Sequence, residues 1–292
     1  MRFDIICQTF VFMKINKNIR NLFFIILLAS SFAQLNAQNL EGPSLQRKAK
    51  NGIYVLAHRG AHQGIPENSL AAYQKAIYLG CDFVEIDVRT TNDGKFVSMH
   101  NSSIDEYVSG QSGKVCDLTF AEIRKLDIGI RLGEKWKGTQ VPTFEEILKL
   151  CQRKIGIYLD LKDAPVPALV ELIRKYHMER DIIWYIPASN ILAINQLVDI
   201  CPDCVPMPDP GAEENIDEVL NLVKTSSIAT DMDQLSRSFV EKAHQHKAMV
   251  FTDEKNGTEA EWTQIIDWKT DGIQTDRPEE LISFLKRRKS NN

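Results

Sequence analysis

The sequence lacks the charge balance of a general nucleic-acid-binding protein. Its 35 lysines and arginines are outnumbered by 39 aspartates and glutamates, and its formal net charge at pH 7 is -4. A protein that binds nucleic acid usually carries a basic stripe or patch. The composition therefore argues against nucleic acid as a partner.

Long apolar runs are also missing downstream of the N-terminal segment. The chain is 43% hydrophobic and 25% charged, which is an ordinary globular composition. A helix that spans a bilayer needs roughly 20 consecutive apolar residues. We therefore expect no integral membrane span in the processed protein.

The N-terminus carries a targeting pattern. Basic residues, an apolar run and small residues follow one another in "KINKNIRNLFFIILLASSFAQLNA", residues 14–37. This is the order of a secretory signal peptide, and the apolar run is too short for a permanent anchor. We predict cleavage after Ala37, with Ala33 as the second candidate, and a secreted or periplasmic protein. Residues 1–12 are then an extension upstream of the true start at Met13, and residues 38–51 a linker.

Cysteine is too sparse and too scattered for a disulfide-bonded scaffold. Six cysteines occur in 292 residues, and the predicted cleavage removes Cys7. Cys201 and Cys204, in "CPDC", could form a local disulfide, a redox pair or half of a zinc site. Because no second pair and no histidine cluster lies nearby in the sequence, we favour free thiols.

A glycine-rich phosphate fingerprint is absent after the first predicted strand, which argues against a doubly wound open sheet. From Ile53 onward, short apolar and β-branched runs alternate with longer amphipathic stretches. The strand candidates are "IYVLA", "DFVEIDV", "IGIYLDL", "IIWYIP", "CVPM", "SSIATD", "AMVFTD" and "DGIQTD". Eight strand–helix units in about 250 residues predict a (β/α)8 TIM barrel, which we place at residues 52–288.

One segment departs from this alternation. Asn-Asp-Gly at residues 92–94 lies between two strand-like runs and indicates a hairpin. A turn centred between Asp93 and Gly94 places Asp87 opposite His100. The alternative hypothesis makes "KFVSMH" a barrel strand of its own, which would give nine candidates. The polar stretch at about 101–140 predicts a small insertion after the second strand.

Polar side chains collect where the predicted strands end, which is where reactive groups lie in such barrels. They are His58, Arg59, Glu85, Asp87, His100, Asp160 and Lys162. Three clustered carboxylates repel one another unless a cation neutralises them. Oxygen ligands suit Ca²⁺ or Mg²⁺ and not zinc, so Glu85, Asp87 and Asp160 predict such a divalent-cation site.

The remaining members of this set indicate phosphodiester cleavage. Arg59 and Lys162, next to a cation, form a receptor for an anion with several oxygens. His58 and His100 can serve as general acid and general base near neutral pH.

At these residues the sequence resembles the glycerophosphodiester phosphodiesterase family. The motifs "AHRG", "PENS", "VEIDVRTTNDGKFVSMHN", "LTFAEIRKLDIG", "VPTFEEIL", "YLDLKD" and "DGIQTDRPEEL" follow in the family's order, and the resemblance covers roughly Ile53 to Leu285. It implies a barrel, a divalent cation, and hydrolysis of a glycerophosphodiester to glycerol 3-phosphate and an alcohol. It also implies acid–base roles for His58 and His100, phosphate binding by Arg59, and metal binding by Glu85 and Asp87.

Two positions depart from the family pattern. Asn101 follows His100 where the family has aspartate, and Asp160 precedes Lys162 where the family has glutamate. Asparagine orients the histidine or stabilises its protonated form less well than aspartate would. Because aspartate is shorter than glutamate, the metal would have to shift or bind a water. Asn101 and Glu67 are candidate supporting residues, although Glu67 could equally cap the following helix.

Two other functions stay open. A phosphatidylinositol-type phospholipase shares the barrel and the two histidines, but it would use arginine in place of the cation, and Glu85 with Asp87 argues against that. A barrel that binds phosphodiesters without turnover is the second alternative, favoured by the two departures. We further predict that His62 is a surface residue, and that Trp184 and Phe251 either line a substrate wall or pack within the barrel.

Overall fold

The computed structural model describes residues 43–108 and 110–290. The predicted signal peptide, residues 1–37, and the first part of the predicted linker lie outside the described residues. Within them the strands are β1 Tyr54–Ala57, β2 Phe83–Thr90, β3 Phe96–Ser98, β4 Gly156–Leu161, β5 Ile182–Pro187, β6 Val205–Asp209, β7 Ser227–Asp231, β8 Met249–Asp253 and β9 Gly272–Thr275. The α-helices are α1 Leu70–Leu79, α2 Phe120–Ile123, α3 Phe144–Cys151, α4 Val166–Lys175, α5 Ile191–Ile200, α6 Ile216–Leu222, α7 Arg237–Gln245, α8 Glu259–Asp267 and α9 Pro278–Ser290.

Eight of these strands form a parallel, nearly closed barrel. The order around it is β6-β5-β4-β2-β1-β9-β8-β7, and helices alternate with the strands. Among the strands in the described part of the chain β3 pairs only with β2, to which it runs antiparallel. The predicted TIM barrel is therefore confirmed, and the hypothesis that "KFVSMH" is a barrel strand is wrong. None of the helices in the described part of the chain is long and apolar enough to cross a membrane.

Alternation along the strands separates two apolar layers, because successive side chains point to opposite faces. Val55 and Ala57 of β1 belong to the large core between the strands and the helices. Leu56, between them, joins Phe83, Phe251 and others in a second cluster that fills the barrel interior.

The barrel ladder is interrupted between β6 and β7, which lie side by side without backbone pairing among the described residues. Pro206 and Pro208 of β6 have no N–H to donate, and proline is confined to such unpaired edges. The carbonyl of Pro206 instead accepts hydrogen bonds from the hydroxyls of Thr225 and Ser227. Side-chain hydrogen bonds therefore replace part of the backbone pairing between β6 and β7.

The β2–β3 hairpin has a different register from the one predicted. Val88 pairs with Ser98, and the Met99 N–H donates to the Asp87 carbonyl at 3.0 Å, so Asp87 faces Met99 and not His100. The reason is a three-residue loop, in which Gly94 at φ 73° takes the left-handed third position. The turn is therefore centred on Asp93, half a residue before the predicted centre between Asp93 and Gly94.

After β3 the chain forms the insertion expected from the sequence. It contains α2 and short 3-10 turns, and its apolar side chains form a separate small cluster that includes Ile104, Val115 and Ile123. The indole Nε1 of Trp136 donates to the carbonyl of Gly64 at 2.7 Å. This hydrogen bond joins the insertion to the loop that follows β1.

Cys201 and Cys204 form a disulfide, so the prediction of free thiols was wrong. The Cys204 N–H donates to the Cys201 carbonyl at 2.9 Å in the turn between α5 and β6. That turn brings the two Cα atoms to 5.3 Å, within the range that a disulfide requires.

The barrel interior supplies a stability test at Gly156. A Cβ atom there would meet the ring of Phe83 closer than van der Waals contact allows. We expect Gly156→Ala to lower the free energy of unfolding by about 1–3 kcal/mol, the usual cost of overpacking. Urea denaturation measures this, and the same substitution should cost less in a Phe83→Leu background. Equal costs in both backgrounds would contradict the packing described.

Candidate active site

A cavity of about 200 Å³ opens at the carboxyl ends of the barrel strands. Six of the residues predicted from the sequence line it: His58, Arg59, Glu85, Asp87, His100 and Asp160. The structure thus brings together residues that are up to 102 positions apart in the chain (58 to 160). Lys162 and Glu67 lie against the members of this set, as described below.

The "HRG" segment makes a tight reversal at the end of β1. Arg59 has φ 49° and Gly60 has φ 82°, and a Cβ on Gly60 would lie 2.7 Å from the Cβ of Ala72. Glycine is therefore required both by the left-handed backbone and by the close approach of α1. The reversal directs the Arg59 N–H at Glu85 Oε2, which accepts it at 2.7 Å.

Glu85, Asp87 and Asp160 form a carboxylate group, which we call the carboxylate trio; Glu85 and Asp87 are buried and Asp160 is partly buried. Glu85 and Asp87 share one face of β2, and Asp160 of β4 is the register partner of Asp87. Glu85 is 2% exposed and Asp87 is 1% exposed. Burial, followed by the negative charge of Asp87, raises the pKa of Glu85 well above its ordinary value.

The trio fits a hard divalent cation. One oxygen from each residue lies within 4.8 Å of the others. Three oxygens no more than 4.8 Å apart lie at most about 2.8 Å (4.8/√3) from a common centre, close to the 2.3–2.6 Å of Ca²⁺–oxygen bonds. Three carboxylates supply the charge and the oxygen ligands that Ca²⁺ or Mg²⁺ prefers, so the donor set is suitable.

Cationic side chains flank the trio. Lys162 Nζ lies 3.1 Å from Asp87 Oδ1 and 2.5 Å from Asp160 Oδ2. Burial lowers the pKa of Lys162, but the negative charges of Asp87 and Asp160 have the larger effect and raise it above its ordinary value. Arg59 Nη1 lies 3.3 Å from Glu67 Oε1, and its buried Nε faces Asp87 Oδ2 at 3.8 Å, beyond hydrogen-bond distance. The guanidinium is therefore held between Glu67 and the trio at the cavity.

The "PENS" motif supports this arrangement. Asn68 Nδ2 donates to Asp87 Oδ2 at 2.8 Å, and the Asn68 N–H donates to the Arg59 carbonyl at 3.0 Å. Ser69, and not Glu67, caps α1 by accepting from the Ala72 N–H. Glu67 thus contacts Arg59, and the helix-capping hypothesis for it is wrong.

His58 pairs with a residue that the sequence-based prediction missed. Its Nδ1 lies 2.7 Å from Oδ1 of Asp276, which directly follows β9. Burial lowers the pKa of His58, but the hydrogen bond to Asp276 and the charge of Glu85 outweigh it, and the pKa rises to about 9. His62, which was predicted to be a surface residue, is partly exposed beside this pair, with Nε2 3.6 Å from Asp276 Oδ1.

A hydrogen-bond chain fixes the ring of His100. Nδ2 of Asn101 donates to Glu106 Oε2 at 2.5 Å, and this directs Asn101 Oδ1 at Nδ1 of His100, 2.7 Å away. Because an amide oxygen only accepts, Nδ1 must carry a proton. The neutral ring then has its lone pair on Nε2.

Other residues that line the cavity were not assigned to the site by the sequence-based prediction. Tyr158 and Tyr185 lie beside Asp160 on β4 and β5, and the others include Asp231, Thr252, Asp253 and Gln274 on β7, β8 and β9. All of them lie near the carboxyl ends of barrel strands, so the same rule that located His58 could have found them. Of the two aromatic residues left open, Phe251 lines the cavity, whereas Trp184 is buried in the core between strands and helices.

Comparison with known proteins agrees with this geometry. The sequence model of the Glycerophosphoryl diester phosphodiesterase family matches residues 58–193. A glycerophosphodiester phosphodiesterase from Caldanaerobacter subterraneus is 35% identical over 155 residues, which are 51% of this chain and 63% of the relative. One from Bacillus subtilis is 26% identical over 249 residues, covering 78% of this chain and 84% of the relative. The chain spans less than two thirds of the first curated relatives, 63% and 49% of their lengths.

A solved structure shares the barrel. The crystal structure of glycerophosphodiester phosphodiesterase from Agrobacterium tumefaciens superposes with a TM-score of 0.71 at 25% identity, over 79% of this chain and 99% of that one. The fold, the order of the motifs and these similarities agree. Over residues 58–193 the chain matches the glycerophosphodiester phosphodiesterase family.

Proposed function

We propose that this protein is a phosphoric diester hydrolase that cleaves glycerophosphodiesters to glycerol 3-phosphate and an alcohol. The observation that carries the proposal is the gathering of two histidines, the carboxylate trio and Arg59 around one cavity. The match to the family over residues 58–193 supports the substrate class, since the curated relatives are named glycerophosphodiester phosphodiesterases. A small-molecule diester is thus the proposed partner.

The carboxylate trio would hold a divalent cation, Ca²⁺ or Mg²⁺. When bound, such an ion supplies positive charge that polarises the phosphoryl group and favours an oxygen nucleophile. Arg59 would bind a phosphate oxygen, and the position of its guanidinium between Glu67 and Asp87 at the cavity supports this role. Lys162 would bind phosphate as a point charge, because its ammonium is held at the cavity edge by Asp87 and Asp160.

The two histidines would divide the proton transfers between them. His58 would be the general acid that protonates the leaving alcohol oxygen, because Asp276 keeps it protonated at neutral pH. His100 would be the general base through Nε2, since Asn101 fixes the proton on Nδ1. Asn101 then supplies orientation without the charge that an aspartate would add. Glu67 would position Arg59.

We also propose that residues 1–37 are a cleaved signal peptide and that the protein is secreted or periplasmic. The order of basic, apolar and small residues supports this, and the Cys201–Cys204 disulfide is compatible with an oxidising compartment. N-terminal sequencing of the chain exported from a bacterial host should begin at Gln38. An exported chain that still carries residues 13–37 would contradict cleavage.

The metal site is tested by Glu85→Gln. This change removes one negative charge from the trio and replaces one carboxylate oxygen by an amide NH2 that cannot bind a cation, so we expect loss of Ca²⁺ and Mg²⁺ binding in calorimetry. Turnover of glycerophosphocholine should fall by more than about 100-fold, because removal of even a supporting residue around a metal costs 10–100-fold. Asp217→Asn is the control, since Asp217 pairs with Lys242 and His246 away from the cavity. Metal binding by Glu85→Gln equal to that of the control would contradict the assignment.

The acid role of His58 is tested by Asp276→Asn. With the aspartate, the pKa of His58 is about 9, so activity that needs its protonated form should decline only as the pH rises through about 9. Without that charge the pKa should fall toward the ordinary value of about 6.5. The alkaline limb of the pH–rate profile should therefore move to lower pH by one to two units, while Asp217→Asn leaves it in place. An alkaline limb at the wild-type position would exclude His58 as the group responsible.

A further inference from the structure

Two buried hydroxyl groups lie near the carboxylate trio and are not used by the proposed reaction. They belong to Tyr73 of α1 and to Ser98, the last residue of β3, and neither residue is more than 1% exposed. The two hydroxyl oxygens are 2.8 Å apart, so the helix and the hairpin strand meet at this point. Buried polar groups of this kind are normally satisfied by specific partners, and the partner here is an amide.

Both hydroxyls contact the side-chain oxygen of Asn68. Tyr73 Oη and Ser98 Oγ each lie 2.8 Å from Asn68 Oδ1. Burial raises the pKa of Tyr73 well above its ordinary value, so its phenol keeps its proton. The three oxygens thus share two hydroxyl protons, and an amide oxygen can only accept. Asn68 Oδ1 accepts at least one proton in every arrangement that keeps both within this group.

The other end of the same amide reaches a member of the trio. Asn68 Nδ2 donates to Asp87 Oδ2 at 2.8 Å. The reversed amide would turn its oxygen to the carboxylate, and two acceptors repel. Asp87 Oδ1 is left to face Lys162 Nζ at 3.1 Å. The amide therefore fixes the rotation of the Asp87 carboxylate and determines which of its oxygens is left for other ligands.

The backbone of Asn68 does not set the amide plane by itself. Its left-handed conformation, at φ 50°, and the hydrogen bond from its N–H to the Arg59 carbonyl fix the position of the Cα atom. The last torsion of an asparagine side chain is broad, so rotamer preference leaves the plane of the amide loosely defined. Hydrogen bonds at both ends of the amide are what define it.

We propose that Tyr73 and Ser98 are positioning residues for the carboxylate trio. They act through Asn68: the two hydroxyls fix the plane of its amide, and the amide holds Asp87 in the orientation in which it can bind a cation together with the other two acids. The inference rests on the proposed function and concerns its metal site. A purely structural role would stabilise the fold through the same hydrogen bonds and leave cation affinity unchanged.

The test is calorimetric titration of Ca²⁺ and Mg²⁺ into the substrate-free protein, for the wild type, Tyr73→Phe, Ser98→Ala and the double variant. Each single change leaves Asn68 Oδ1 one hydroxyl donor, so we expect only a small loss of affinity. The double variant leaves a buried acceptor without a donor. We expect its affinity to fall by at least about tenfold, more than the two single losses combined, because loss of a partner around metal ligands costs 10–100-fold.

The matched control combines Tyr176→Phe with Ser227→Ala. It also removes one tyrosine hydroxyl and one buried serine hydroxyl, but their hydrogen bonds run to Glu145 and to the Pro206 carbonyl and not to the trio. The melting temperature of every variant is recorded beside its cation affinity. We expect the control to bind cations like the wild type even where its melting temperature falls.

A second comparison uses Asn68→Ala. Because the hydroxyls act only through Asn68, adding Tyr73→Phe and Ser98→Ala to this variant should weaken cation binding no further. If the double variant does not fold, each single change is compared in the wild-type and Asn68→Ala backgrounds. The loss in the first background should then be absent from the second.

The outcomes separate the positioning role from the metal site itself. A double variant that binds both ions as tightly as the wild type, or a further loss in the Asn68→Ala background, would overturn the positioning role while the metal site stands. A wild-type protein that binds neither ion would overturn the metal site of the proposed function, and the positioning role with it.

Discussion

The concentration of negative charge at the mouth of the barrel is the constraint on which the rest of the site depends. Three carboxylate oxygens within 4.8 Å of one another repel strongly when they are buried. The parallel register of β2 and β4 makes this arrangement unavoidable, because it sets Asp87 directly beside Asp160. Positive charge has to be supplied nearby, and Lys162, Arg59 and a divalent cation are the sources that the proposed function assigns.

The loops around the trio direct hydrogen-bond donors at its carboxylates. The left-handed backbone at Arg59 and Gly60 turns the Arg59 N–H toward Glu85, and Asn68, also left-handed at φ 50°, donates to Asp87. The histidines are held in the same manner from outside the trio, His58 by Asp276 and His100 by Asn101. Each reactive side chain therefore has a partner that fixes its orientation on a rigid strand end, which is what a preorganised site requires.

Much of this site could be predicted from the sequence because two rules acted together. Strand periodicity placed Glu85 and Asp87 on one face, and the barrel rule placed them at the same end as His58 and Asp160. Asp276 was missed although it directly follows the last strand, because sequence alone does not tell which strand-end acid turns inward. The one-residue error in the β2–β3 register depended on the loop type, and the disulfide depended on a turn geometry at Cys201 that spacing does not reveal.

The departures at Asn101 and Asp160 have a physical explanation in the structure. Asn101 keeps the orienting hydrogen bond to His100 and is itself held by Glu106. The amide therefore orients the ring as an aspartate would, but it does not supply an aspartate's negative charge. Asp160 is shorter than glutamate, but its oxygen still reaches the other two acids of the trio. Neither change removes a group that phosphodiester cleavage needs. The hypothesis of a binding protein without turnover therefore loses the features that favoured it.

The central claim is that the cavity cleaves a glycerophosphodiester with the help of a divalent cation. Phosphorus NMR of glycerophosphoethanolamine incubated with the purified protein tests it most directly. The account predicts that the diester signal is replaced by that of glycerol 3-phosphate when Ca²⁺ or Mg²⁺ is present, and that it persists when a chelator is in excess. A diester that persists with either ion, or that disappears equally fast in the chelator, would contradict the account.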